Sequence, residues 1–266
     1  MKKIVSCLAS IALSILLSIP TTAMAAKPEE SYDIASLLEA GGTIPAGYYQ
    51  LTRGVKVTND VYADGVVIDA SGCPQNTIAI VAKANITGIT INYPQRQGIS
   101  VQSCSGKTLE NCTVTHAQFA GIEVKNNVSD ITLRNCISND NYDYTGEGEN
   151  ADGFGIKNGA YNITLINCSA TGNSDDGFDC YSSGENIIFR GCTAVGNGSG
   201  TNGDGNGFKL GPCSYKDNSG GLVTVTDCTA MNNSGWGFLR NHNKVEPIQY
   251  GNTAENNRKG QFNWNQ

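Results

Sequence analysis

Three aspartates in five residues, Asp175, Asp176 and Asp179, lie in a segment that recurs along the chain about every 24–30 residues. Aligning the recurrences puts Asp179 in one column with Lys209, and Asp176 in one column with Asp152. Two carboxylates ~5 Å apart repel by about 3 kcal/mol at an effective dielectric near 20. Four of them, Asp152, Asp175, Asp176 and Asp179, multiply that cost unless a cation offsets it. An all-oxygen cluster suits Ca²⁺, which takes about six to eight hard ligands in loose geometry. The sequence offers no histidine cluster or soft ligand set for zinc or copper. A lysine beside such a cation reads as a base, since its neutral amine accepts a proton. Asp-Asp-Gly alone also marks solvated turns or a structural calcium site. The matching columns of Asp152 and Lys209 favour the functional reading.

The elements that position these residues follow from the repeat. Its rows are Gly98-Ile99-Ser100-Val101, Gly121-Ile122-Glu123-Val124, Gly153-Phe154-Gly155-Ile156, Gly177-Phe178-Asp179-Cys180 and Gly207-Phe208-Lys209-Leu210. Gly235-Trp236-Gly237-Phe238 reads as a sixth row, and Gly260-Gln261-Phe262 as a degenerate last one. Positions two and four are apolar, the alternation of a strand, so position three should point outward. A second strand follows in each repeat, for example Asn162-Ile163-Thr164-Leu165. Cys112, Cys136, Cys168, Cys192 and Cys228 close these second strands, and Asn252 takes that column in the last copy. Five residues later stand Asn141, Asn173, Asn197, Asn233 and Asn257. Short strands at a period in the twenties, with no helical pattern between them, predict an all-β parallel solenoid with one repeat per coil.

On that scaffold the cysteine column is an inward stack of small apolar side chains rather than a set of disulfides. The asparagines form a turn ladder, with amides bonded from coil to coil and asparagine tolerating the left-handed bend. Cys73, Cys104 and Cys213 are less constrained, and a bridge among them stays open. Ile34, Leu37 and Leu38 suit one face of a short helix over Ser31–Ala40, ended by Gly41-Gly42, that caps the open N-terminal end. Residues 51–93 carry strand-like runs in poorer register.

Lys2 and Lys3, an apolar run from Ile4 to about Ile19, and Ala23-Met24-Ala25 describe a secretory signal peptide over residues 1–25. Residues 26–266 then form a single domain. No later stretch is apolar enough to cross a membrane, so a released, extracellular protein is expected. The formal charge of −6 becomes −8 without Lys2 and Lys3, which disfavours nucleic acid as a partner. A monomer is expected.

Three segments carry a family resemblance: Glu149-Asn150-Ala151-Asp152-Gly153-Phe154, Asn173-Ser174-Asp175-Asp176-Gly177-Phe178-Asp179 and Gly205-Asn206-Gly207-Phe208-Lys209-Leu210-Gly211. They resemble the pectate lyases of polysaccharide lyase family 9, in the same order, across about residues 98–240. The resemblance implies a right-handed parallel β-helix with an asparagine ladder. It implies that Asp152, Asp175, Asp176 and Asp179 bind a catalytic Ca²⁺ and that Lys209 abstracts the C5 proton of a uronate in β-elimination. The implied substrate is polygalacturonate. The chain is shorter than typical members, which leaves the outer subsites open.

Lys157, Arg240 and Asn206 are candidates for substrate contacts, and Asp204 and Asn206 stand near the base. His116 and His242 fall outside the motif columns and read as non-catalytic. A polygalacturonase would carry Gly-His-Gly and Arg-Ile-Lys segments, which this sequence lacks. Lyase action on another uronate polymer, such as rhamnogalacturonan, and a non-catalytic polysaccharide-binding β-helix are the competing readings.

Overall fold

The coils from Gly98 to Gly237 each begin at a glycine with no room for a larger residue. In the computed structural model, which describes residues 32–212 and 220–264, a Cβ on Gly177 would lie 2.7 Å from the Gly207 carbonyl oxygen. It would also fall 2.9 Å from Ala194 Cβ and 2.9 Å from Asn197 Nδ2. The row glycine is therefore where successive coils and the asparagine ladder meet at contact distance. The leader expected over residues 1–25 lies outside the described residues, as does Cys213. No described helix is long and apolar enough to cross a membrane.

After the glycine comes the strand of a nine-stranded, all-parallel sheet. Ile99–Val101, Ile122–Lys125, Phe154–Lys157, Phe178–Asp179, Phe208–Lys209 and Trp236–Leu239 are successive members. The remaining two strands of each coil belong to a 16-stranded parallel sheet that forks at Ile86–Asn92. The Asp179 coil illustrates the path: Phe178–Asp179, then Ile187–Arg190, then Thr193–Val195, then the next coil. The cross-section is three-sided, and its interior holds one apolar core running the length of the solenoid.

Three columns hold the coils in register. Phe154, Phe178, Phe208, Phe238 and Phe262 stack face on face, with centroids 4.6–5.2 Å apart and ring planes within 8°. They sit at position two, directly behind the strands that carry Asp179 and Lys209. The five cysteines form the second column, all buried unbridged thiols. Cys73 and Cys104 are also unbridged. The third is the ladder: Asn141 Nδ2 donates to Asn173 Oδ1 at 2.7 Å, Asn173 to Asn197 at 2.9 Å, Asn197 to Asn233 at 2.9 Å and Asn233 to Asn257 at 2.8 Å. The left-handed residue is not the ladder asparagine itself but the one before it: Asp140, Gly172, Gly196, Asn232 and Asn256 all have positive φ. The bend comes first, and it aims the following amide inward.

The N-terminal cap is a helix over Ile34–Ala40, shorter at its start than expected because Asp33 accepts from Ala35 N–H as N-cap. Ile34, Ala35 and Leu38 are buried against the first coil. The sixth row departs from the sequence alignment by two residues. Phe238 pairs with Phe208 and Leu239 with Lys209, so the row glycine is Gly237, not Gly235. The segment holds two glycine–aromatic dipeptides, and the core takes the one whose ring extends the phenylalanine stack.

Asn197→Ala would leave the N–H and Nδ2 of Asn173 without their shared acceptor in a buried site. Unsatisfied buried donors cost about 1–3 kcal/mol each, so a stability loss of about 2–4 kcal/mol is expected. A urea midpoint equal to that of the wild type would contradict the ladder's role.

Candidate active site

Register places the chemistry. Gly155 pairs with Asp179 and Asp179 with Lys209, so three neighbouring strands carry no side chain, a carboxylate and an amine at position three. The residue before each row glycine forms a second column beside it. Asp152 Oδ1 accepts from Asp176 N–H at 3.3 Å, and Asp176 Oδ1 accepts from the N–H and Nδ2 of Asn206 at 2.7 and 2.8 Å. Asn206 Oδ1 in turn accepts from Trp236 N–H at 2.9 Å. Each side chain of this column ties down the coil above it.

The four aspartates read from the sequence come together. Donor oxygens of Asp152, Asp176 and Asp179 lie within 4.8 Å of one another, as do those of Asp175, Asp176 and Asp204. Asp176 belongs to both groups. Asp152 and Asp176 are fully buried, Asp179 is 3% exposed and Asp175 6%. Asp179 does point away from the core, as position three requires, but it does not reach open solvent, because Lys157 folds beside it and two long loops wall the cleft. Asp175 is held by backbone donors from those loops, Asn150 N–H at 3.0 Å and Asp204 N–H at 2.7 Å.

The loops explain two of the three longest repeat steps, those of 32 residues from Gly121 to Gly153 and 30 from Gly177 to Gly207. Residues 142–151 and 198–206 are insertions between coils. Gly148 and Gly200 pack so closely that a Cβ on Gly148 would fall 2.3 Å from Gly200 Cα. With the sheet they enclose a cleft of about 380 Å³ lined by Glu149, Asn150, Lys157, Asp175, Asp179, Tyr181, Asn202, Asp204 and Lys209. Glu149, Asn150 and Asn202 were not among the sequence candidates. The uneven repeat spacing was the available signal for them.

Lys209 Nζ lies 2.6 Å from Asp204 Oδ2 and 3.2 Å from Asp176 Oδ2, and 5.9 Å from the ring centre of Tyr181. Lys157 Nζ bridges Asp152 at 2.8 Å and Asp179 at 2.9 Å. Five carboxylates therefore face two ammonium groups. Burial pushes Asp152 up to about 7, despite Lys157, with Asp179 and Asp175 adding to the rise. Burial likewise raises Asp176 and Asp175. Burial pulls Lys209 down, but Asp176 and Asp179 outweigh it and hold the amine protonated well above its ordinary range.

A hard divalent cation fits this donor set. Asp176 Oδ2 is buried and accepts no hydrogen bond, although Lys209 Nζ is 3.2 Å away without hydrogen-bond geometry. Calcium–oxygen distances of about 2.4 Å place opposed ligands about 4.8 Å apart. All the donors are oxygens, and the excess charge is negative.

The structure also places the three substrate-contact candidates. Lys157 lines the cleft as a counter-charge inside the carboxylate cluster. Its stem passes over Gly155, where a Cβ would stand 3.1 Å from Lys157 Cε. Asn206 is 1% exposed, with its amide fully engaged by Asp176 and Trp236. Arg240 spends its guanidinium on backbone carbonyls of Asn243, Lys244 and Trp264, latching the C-terminal turns. His116 and His242 lie away from the cleft lining.

A three-sided parallel solenoid with a carboxylate–lysine centre on one face defines the class. The Pel9A-like, right-handed β-helix model matches residues 36–266, and the chain belongs to that family. Pectate lyase L of Dickeya dadantii (strain 3937) is 34% identical over 178 residues, which is 64% of this chain and 40% of that protein. The chain thus matches less than half the length of this curated relative. The crystal structure of pectate lyase Pel9A superimposes with a TM-score of 0.60 at 26% identity, covering 83% of this chain and 61% of that one. A rhamnogalacturonan lyase shares the fold at a TM-score of 0.53 and 20% identity, covering 81% of this chain and 65% of that one.

The raised Asp152 sets a pH test in buffer free of divalent cations. Its folded-state value near 7 lies above the ordinary 3.8, so the folded protein keeps a proton that the unfolded chain releases. The linked stability is full below about pH 4 and is lost as pH rises toward about 7. Asp152→Asn should therefore shift the melting temperature more favourably, relative to wild type, at about pH 8 than at about pH 5. An equal shift at both would contradict the assignment.

Proposed function

We propose that this protein is a secreted, calcium-dependent pectate lyase that cleaves polygalacturonate by β-elimination. The observation that carries the reading is the placement of Lys209 one strand from Asp179, at the edge of a carboxylate cage whose buried Asp176 Oδ2 lacks a hydrogen-bond partner. Membership of the Pel9A-like family and the named pectate lyase relative support the same reaction.

Asp152, Asp175, Asp176 and Asp179 would hold the cation, with Asp204 at the margin of the set. When bound, Ca²⁺ withdraws charge from a uronate carboxylate and makes the C5 proton more acidic. The chain's own residues do the rest. With a cation held by Asp176 and Asp179, less negative charge would remain to keep Lys209 protonated, and its amine could serve as the base. The neutral Nζ then takes the C5 proton, and the electron pair left at C5 forms the C4–C5 double bond as the bond to O4 breaks. Asp204, half exposed and 2.6 Å from Nζ, orients the amine and offers a route by which its proton leaves to solvent. Tyr181, exposed beside Lys209, closes one side of the cleft.

The first test follows the ultraviolet absorbance of the unsaturated product on polygalacturonate, with calcium and with chelator. A calcium-dependent rise is expected. New reducing ends without that absorbance would mean hydrolysis, and no cleavage at all would favour a binding module. Rhamnogalacturonan as a parallel substrate separates the second lyase reading.

Lys209→Ala and Lys209→Arg should each lower kcat at least about 1,000-fold, and Lys209→Arg should do so with little change in melting temperature, since arginine keeps the charge but cannot serve as a base. Turnover retained in Lys209→Arg would remove Lys209 from the base role.

A lysine ordinarily titrates at about 10.4, so its neutral form is scarce at neutral pH and rates at about pH 9 should exceed those at about pH 6. Asp204→Asn weakens the hold on the ammonium and should move the rising limb to lower pH. An unmoved limb would exclude Asp204 from the base's environment.

A further inference from the structure

The turn before the asparagine ladder is built, coil after coil, from residues that adopt positive φ cheaply: Asp140, Gly172, Gly196, Asn232 and Asn256. At the N-terminal end of the same column stand Tyr93 and His116, at φ 56° and 56°. Register confirms the equivalence, since Asn92 pairs with Thr115 and Thr115 with Asn139. A left-handed conformation is unfavourable for a bulky L-residue such as tyrosine. Nothing in the fold requires that cost here, because asparagine or glycine fills the role elsewhere. Backbone outliers of this kind point to a use for the side chain.

The two rings line a cavity of about 230 Å³ on the corner of the solenoid. Their centroids are 4.8 Å apart. Tyr142 and Tyr144, paired at 4.9 Å, form another wall. Tyr93 and Tyr144 are 49% and 74% exposed, so the rings present faces to solvent rather than filling a core. Gln95 and Gln118, bonded to each other at 3.0 Å, add polar groups, and Asp140 adds an acceptor. No lysine or arginine lines the cavity. The catalytic cleft, by contrast, holds Lys157 and Lys209. Aromatic faces with a few convergent polar groups suit the C–H faces and hydroxyls of a sugar ring. With Asp140 present and no lysine or arginine, the cavity disfavours a uronate and accepts an uncharged sugar.

We propose that this corner is a second carbohydrate site, specific for neutral glycan units and separate from the catalytic cleft. The 142–151 loop joins the two, with Tyr142 and Tyr144 lining the corner cavity and Glu149 and Asn150 lining the cleft. A polysaccharide with neutral and acidic regions would be held by one site and cut at the other. The binding claim does not depend on the lyase reading, and its test does not use turnover.

The test is calorimetric titration of the full chain with galactotetraose, arabinotetraose and trigalacturonate, in chelator so that the cation site stays unfilled. Tyr93→Asn and His116→Asn are the variants, because asparagine relaxes the backbone while removing the ring. Wild type should bind a neutral tetrasaccharide more tightly than trigalacturonate. Each variant should lose that binding at least tenfold while keeping or raising its melting temperature. No binding of either neutral probe would overturn the proposal, as would neutral binding that survives Tyr93→Asn. A melting temperature lowered by both variants, with affinity unchanged, would make the rings structural and overturn it as well.

Discussion

Everything at the cleft depends on parallel strands held in one register. Side chains alternate faces along a strand, so a slip of one residue would turn Asp179 and Lys209 into the core and the phenylalanines out to solvent. Columns of stacked side chains prevent that slip, and three of them use different physics. The stacked rings Phe154, Phe178, Phe208, Phe238 and Phe262 reward only the aligned arrangement. The asparagine ladder has directional bonds with one geometry. The column of Asp152, Asp176 and Asn206 is the most telling, since its side chains cap backbone N–H groups of the next coil while sitting among the charged residues. The carboxylates that face the cleft are therefore also part of the scaffold.

That double use explains how so much negative charge is tolerated. Asp152 and Asp176 each commit one oxygen to a coil-to-coil hydrogen bond and turn the other toward the cluster. Fixed in this way, they cannot swing apart to relieve repulsion. The remaining strain is met by proton uptake, by the two lysines, or by a cation. Electrostatic preorganisation of this kind is set by folding rather than by reorganisation when a ligand arrives.

The parts of this arrangement that repeat were legible in the sequence. Glycine, phenylalanine, cysteine and asparagine columns announce themselves by period, and Asp152, Asp176, Asp179 and Lys209 could be placed by counting from them. What stayed hidden was whatever the period does not encode. Arg240 and Lys157 are cations near the right rows, but a sequence does not say whether a guanidinium meets a sugar carboxylate or three backbone carbonyls. The two-residue offset at Gly237 arose because Gly235-Trp236 satisfies the same pattern as Gly237-Phe238, and only the core distinguishes the rings. The loop residues Glu149, Asn150 and Asn202 belong to insertions, where the pattern is interrupted by definition.

The insertions have one more consequence. The strands of each coil pair only with those of its neighbours, but the Gly148–Gly200 contact joins loops two coils apart, across the short turn that carries Asp175 and Asp176. The carboxylate–lysine centre occupies three consecutive coils, and the rest of the solenoid serves to keep those three aligned. Such a chain can exchange, lengthen or lose loops on its outer corners while the inner ladder stays the same.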